Sequence, residues 1–173
     1  MINMAKNEEV TFKSKMSKWI AGLYWGILIF LIVLFVIIPL IVPMPLLEKG
    51  VFVATFVIVS IVIFYALWKG YTMRFVICNG RIEIYGVFWK SILKLSNIED
   101  IKKVPIPFGY RLFGASLLGG IYYLPGVGKA SVAMTNFVDG VLITTRQKQN
   151  YVITPENPQE FIKIVSKEMK GGK

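Results

Sequence analysis

Residues 19–42 read WIAGLYWGILIFLIVLFVIIPLIV, and no charged side chain interrupts them. Ile27 to Ile38 is an unbroken run of Ile, Leu, Phe and Val. Each such residue favours insertion at a helix centre, so the twelve together supply about −4 to −7 kcal/mol. At the rise of an α-helix the whole stretch reaches about 36 Å, enough to cross a hydrocarbon core of about 30 Å with some tilt. A second uncharged stretch, VFVATFVIVSIVIFYALW at 51–68, covers about 27 Å and is also sufficient. Pro39, Pro43 and Pro45 lie where the first stretch must turn back. The pattern predicts a transmembrane helical hairpin over residues 19–68, with spans at 19–42 and 51–68. Core helices of a soluble protein keep a polar face, and these have none. A signal peptide is excluded by the length of the apolar run, by Pro-Met-Pro at its end and by the second span.

The flanking charges orient the hairpin. Lys6, Lys13, Lys15 and Lys18 precede the first span, and Lys69, Arg74 and Arg81 follow the second. The turn carries only Lys49, offset by Glu48. Cations gather on the cytoplasmic side of membrane helices, so both termini are expected in the cytoplasm. Trp19, Tyr24 and Trp25 with Tyr65, Trp68 and Tyr71 lie at that same end, at headgroup depth. The expected membrane-interface set is therefore Lys13, Lys15, Lys18, Trp19, Trp25, Trp68, Lys69 and Tyr71. Gly22 and Gly26, four apart, offer a small-xxx-small face at the level of Ala66, and are expected to pack helix against helix. Neither span holds an ionisable residue of the kind that marks ion paths. An oligomeric channel or transporter accessory subunit built on the hairpin stays the alternative reading.

Residues 1–18 read as a basic cytoplasmic lead, and 69–173 as one compact cytoplasmic domain. The net charge is +10, and the part after Trp68 holds fifteen Lys or Arg against seven Asp or Glu. The cations are spread, with no basic run or recognition-helix pattern, so an anionic inner leaflet is the expected partner and nucleic acid is not. Cys78 is the only cysteine, which forbids an internal disulfide and suits a reducing compartment. There is no histidine, hence neither the commonest general base nor the commonest transition-metal ligand. Acids are few and scattered, and neither an enzyme nor a cofactor or metal site is expected.

Along the domain, Met73, Phe75 and Ile77 alternate before Asn79-Gly80, the strongest two-residue hairpin signature. Arg81 to Tyr85 alternates with Ile82 and Ile84 inward, and Lys90 to Leu95 reads as a third strand. Ile101 to Ile106 forms another, exposing Lys102 and Lys103. Residues 107–120 read as a long irregular loop of glycines among Phe108, Tyr110, Leu112, Phe113, Leu117 and Leu118. With Arg111 it is expected either to touch lipid or a partner or to close a barrel end. The candidate contact residues are Lys102, Lys103, Tyr110, Arg111, Phe113, Leu117 and Leu118. Further strands are read at 121–124, 129–135, 141–146 and 151–154, with a Pro125-Gly126 type II turn after the first of them. Gly128-Lys129 lacks the flanking residues of a phosphate loop. Asn157, Pro158 and Glu160 make a capping box, after which Phe161, Ile162, Val165 and Met169 share one face of a terminal helix.

Three segments carry a family resemblance: Leu95-Ser96-Asn97-Ile98-Glu99-Asp100-Ile101, Val141-Leu142-Ile143-Thr144-Thr145, and Tyr151-Val152-Ile153-Thr154-Pro155-Glu156-Asn157-Pro158 leading to Phe161. Over about residues 72–168 the chain resembles the small membrane-anchored bacterial pleckstrin-homology-like domain proteins. The resemblance implies an α+β membrane protein, in which the helical hairpin precedes a split barrel of about seven antiparallel strands in two bent sheets. A C-terminal helix would plug one end. The chain departs from the family at Gln147-Lys148-Gln149-Asn150, where a glycine-containing turn is usual. Phosphoinositide sites of eukaryotic relatives use a long basic loop between the first two strands. Asn79-Gly80 is too short to form one, and fold does not confer function. The expectation is a non-enzymatic, membrane-tethered interaction or scaffold module that meets a membrane protein or its own copies.

Overall fold

The computed structural model describes residues 9–14, 16–87, 89–106, 109–116 and 118–171. Two helices long and apolar enough to cross a membrane, α1 (Lys18–Ile41) and α2 (Leu46–Thr72), form an antiparallel pair. Edge-on contacts of Trp25 with Phe64 (6.4 Å) and tilted contacts of Phe35 with Phe52 (5.6 Å) set their register. Within α1, Val33–Ile37 widens into a π-turn, and the N–H of Ile38 reaches the carbonyl of Val33. Pro39 follows immediately, and having no N–H it cannot continue the ordinary ladder, a common cause of such widening.

Ten strands are found among the described residues: β1 (Val10–Lys13), β2 (Arg74–Cys78), β3 (Arg81–Tyr85), β4 (Lys90–Lys94), β5 (Ile98–Pro105), β6 (Tyr110–Ser116), β7 (Gly119–Leu124), β8 (Gly128–Ala133), β9 (Asp139–Thr145) and β10 (Asn150–Ile153). They make a four-stranded sheet, β1-β2-β3-β4, and a six-stranded sheet, β5-β9-β10-β8-β7-β6. Asn79 and Gly80 both have positive φ (49° and 68°), as the tight β2–β3 turn requires. At Pro125-Gly126, φ of Gly126 is 77° and the Val127 N–H reaches the Leu124 carbonyl, which is the type II turn read from the sequence.

Four expectations need correction. The two sheets do not close into a barrel, and the strands exceed the seven anticipated. Nor are all pairs antiparallel: β10 inserts between β9 and β8 and runs parallel to β8. Both faces of the larger sheet are buried there. Val141, Ile143 and Ile153 point into the main core, and Leu142, Val152 and Val132 into a second cluster. That explains the unbroken apolar runs Val141-Leu142-Ile143 and Val152-Ile153, since strands covered on two sides do not alternate. Finally, 107–120 is not one irregular loop. Tyr110–Ser116 is the edge strand β6, whose register with β7 slips twice.

The lead into α1 is also more than a polar extension. Phe12 drops into the core while β1 pairs antiparallel with β2. Ser14 then reaches the other sheet: its hydroxyl donates to the Thr154 carbonyl (2.7 Å) and meets the Thr135 hydroxyl. The N–H of Ser17 donates to the Thr135 carbonyl (2.7 Å). Val10 to Ser14 together with Ser17 thus join both sheets before the first long helix starts.

The terminal helix α3 (Pro158–Gly171) begins as read. Asn157 accepts from the Glu160 N–H, and its amide donates back to the Glu160 carboxylate. Phe161 and Val165 are fully buried. The Phe161 ring meets Phe12 (5.2 Å) and Phe75 (6.4 Å) of the smaller sheet, while α3 also packs on β5 and β9 of the larger one. The result is two long apolar helices followed by a β-sheet domain with a helix at its C-terminus.

Candidate functional site

The hairpin and the domain share one core. Ile20 and Tyr24 of α1 and Ala66 and Leu67 of α2 belong to the same buried cluster as Met73, Phe75, Ile84 and Leu118. At Gly70 the last turns of α2 approach so closely that an added Cβ would run into Met16 and Leu118. No linker separates helix from sheet: α2 ends at Thr72 and β2 starts at Arg74.

That junction places a set of residues on one row. Met73, Phe75 and Ile77 face the core, so Arg74 and Val76 lie on the opposite face, Arg74 exposed and Val76 buried. Pairing then aligns Lys13 of β1, Arg74 of β2, Tyr85 of β3 and Lys90 of β4 across all four strands, at the sheet end nearest α2. The Arg74 guanidinium lies 4.8 Å from the centre of the Tyr85 ring, and the Lys90 ammonium 4.5 Å from it. Both are cation–π distances. One turn back on α2, the Lys69 ammonium stands 5.7 Å from the Tyr65 ring centre and 5.3 Å from that of Trp68.

Between these two groups lies a cleft of about 520 Å³, within the range of small-ligand sites. Tyr65, Trp68 and Lys69 form its helical wall, and Arg74, Tyr85 and Lys90 its sheet wall, with Trp89 among the remaining lining. The charges are mostly uncommitted. Among the described residues no carboxylate pairs with Lys69 or Arg74. Lys90 is paired: with Glu83 at 2.8 Å, where Arg81 (3.2 Å) and the Tyr85 hydroxyl (2.7 Å) also converge. Hydrogen bonds from Lys90 and then Tyr85 hold the Glu83 carboxyl below its ordinary pKa, and the hydrogen bond to Glu83 raises that of Lys90. One carboxylate thus faces Arg81 and Lys90 together, and the wall keeps its excess of positive charge.

The residues singled out from the sequence are distributed as follows. Lys18, Trp19, Trp25, Trp68 and Tyr71 are exposed near the domain end of the hairpin, Lys69 lies in the cleft wall, and Lys13 ends the outer row. Trp19 also stacks edge-on with Phe137 (6.5 Å). Lys15 lies outside the described residues. Gly22 and Gly26 sit at the level of Ala66 but not on its face. Ala66 is buried, whereas a Cβ at either glycine would meet nothing within 4 Å. On α1 the buried residues are Ile20, Tyr24 and Leu28, and rings meet across the pair at Trp25–Phe64 and Phe35–Phe52. Lys102 pairs with Asp100 (3.3 Å), and Lys103 with Asp139 (2.7 Å). Tyr110 is exposed on β6, but Leu118 is fully buried in the main core, so the 107–120 segment is not a single contact surface. Leu117 and the side chains of Arg111 and Phe113 lie outside the described residues. No local sequence signal groups Arg74, Tyr85, Lys90, Trp89 and Tyr65. Their row follows from the β2–β3 turn, because centring a two-residue turn on Asn79-Gly80 sets Arg74 opposite Tyr85.

Two sheets joined by a C-terminal helix, carried directly on a pair of apolar helices, define a small α+β domain rooted in a helical hairpin. A family model for the bacterial PH domain matches residues 73–169, and the chain belongs to that family. No curated protein and no solved structure matches the chain.

Proposed function

We propose that the protein is a non-enzymatic interaction or scaffold module tethered to the cytoplasmic membrane. The hairpin crosses the bilayer twice, with both termini and the PH-like domain on the cytoplasmic side. The domain meets a membrane protein, or a second copy of the chain, along the anionic inner leaflet. The single observation that carries this reading is the shared core. Ile20, Tyr24, Ala66 and Leu67 pack with Phe75 and Leu118, so whatever holds the hairpin holds the domain in a fixed pose. Beyond that junction much of the helices' apolar surface is uncovered among the described residues: Leu40, Ile41, Leu46 and Leu47 are three-quarters exposed or more. Apolar surface on that scale calls for lipid or protein. PH domains are generally non-catalytic, which supports the absence of enzymatic activity. Fixing two partners in one membrane raises their effective concentration without any new contact, which is what such a module exploits. Proximity labelling from a ligase fused after Lys173 tests the proposal. Enrichment of membrane neighbours supports it, and recovery of abundant soluble proteins alone counts against it.

A further inference from the structure

We propose that the cleft between α2 and the four-stranded sheet binds a phosphate-bearing anion, supplied by the headgroup of an anionic phospholipid. This deepens the tethering proposal and rests on it for the source of the phosphate. Lys69, Arg74 and Lys90 converge on the cleft from a helix end and from two strands; among the described residues no acidic residue lines it, and Glu83 outside it pairs with Lys90 alone of the three. Arg74 lies over the Tyr85 ring and Lys69 near Tyr65 and Trp68, so their heads are positioned by aromatic faces rather than by a carboxylate. A guanidinium held in this way keeps its forked donors for phosphate oxygens, and ammonium groups beside it add charge. Lys13, next in the same row, extends the basic surface past the cleft.

The walls also match a lipid rather than a wholly soluble ligand. Trp68, Tyr65 and Trp89 give the cleft apolar flanks that glycerol and the first acyl carbons would meet. Trp68 and Tyr71 are exposed on the same helix end, where aromatic rings sit at headgroup depth. One wall of the cleft comes from α2, so the site belongs to the joined hairpin and domain and lies away from the Asn79-Gly80 turn.

The full-length chain, purified in mild detergent, is offered short-chain phosphatidylglycerol, short-chain phosphatidylcholine or inorganic phosphate, and retention is read by native mass spectrometry. Arg74→Gln/Lys90→Gln is compared with Lys94→Gln, a cation on the same sheet face that lies outside the cleft. We expect phosphatidylglycerol to be retained at least tenfold better than phosphatidylcholine, with the double variant losing that preference and Lys94→Gln keeping it. Inorganic phosphate that competes at equal concentration would overturn the lipid as the source. Equal retention of both lipids, or an unchanged preference in the double variant, would overturn the site itself. Carbonate extraction of the same membranes separates the two proposals. A chain that stays with the membrane yet shows no preference loses only the cleft, whereas a chain released by carbonate loses the tether.

Discussion

Replacing Ser14 by alanine probes the joint on which the domain's placement depends. Ser14 is 7% exposed and lies 121 residues from Thr135 and 140 from Thr154, yet all three hydroxyls meet. The Ser14 proton is committed to the Thr154 carbonyl, so the Thr135 hydroxyl donates to Ser14, while the Thr154 hydroxyl accepts from the Thr135 N–H (2.9 Å). Alanine removes one donor to a buried carbonyl and one acceptor for a buried hydroxyl. Each buried hydrogen bond contributes about 1 kcal/mol, so the two lost together amount to about 2 kcal/mol. For a chain of this size that lowers the midpoint of thermal unfolding by about 4–8 °C, at roughly 2–4 °C per kcal/mol. Near-ultraviolet circular dichroism of the detergent-solubilised chain reads it, with Thr11→Ala on the exposed face of β1 as control. If Ser14→Ala unfolds within about 2 °C of that control, the lead does not stitch the two sheets together.

Phe161→Ala removes the ring that meets Phe12 and Phe75, and is expected to cost about 3–5 kcal/mol in denaturant titrations. Gly70→Ala gains helix propensity but drives a methyl group into Met16 and the buried Leu118, for a net loss of about 1 kcal/mol in the same assay. Glu83 has a lowered pKa, so its contribution is present above the ordinary carboxylate value of about 4.3 and is lost as pH falls through the lowered one. Lys90 has a raised pKa, and its share is present below about 10.4 and lost as pH climbs through the raised value. The stability gap between wild type and Glu83→Gln is therefore widest near neutral pH and closes towards both acid and alkali, as urea midpoints across pH would show.

The elements that announce themselves locally were legible in the sequence. An uncharged run longer than twenty residues, a two-residue Asn-Gly turn and an Asn-Pro-x-Glu cap each state their geometry locally: the run is a helix long enough to cross a membrane, and the turn and the cap form as read. What escaped was decided by distant partners. Val10-Thr11-Phe12-Lys13 alternates over only four residues and becomes a strand because β2 offers it an edge. The insertion of β10 between β8 and β9 leaves no local trace, since a parallel neighbour and an antiparallel one ask for the same apolar residues. Tyr110–Ser116 was hidden by Gly114 and by the two register slips that let it follow β7. The cleft was half visible: Lys69 and Trp68 were read as interface residues, but their counterparts Arg74, Tyr85 and Lys90 assemble only when strand register is followed across three strands. Helical spacing fixes the level of Gly22 and Gly26 along the hairpin but not the side the second helix takes, and a Cβ at either would meet nothing within 4 Å.

The central claim is that the hairpin crosses the bilayer and holds the β-sheet domain on the cytoplasmic side. Single cysteines at Glu48 in the hairpin turn and at exposed Lys129 in the domain, each in a Cys78→Ser background, test it with a membrane-impermeant maleimide on sealed vesicles. The account predicts that Glu48→Cys labels only in right-side-out vesicles and Lys129→Cys only in inverted ones. Labelling of both positions from the same side would contradict it.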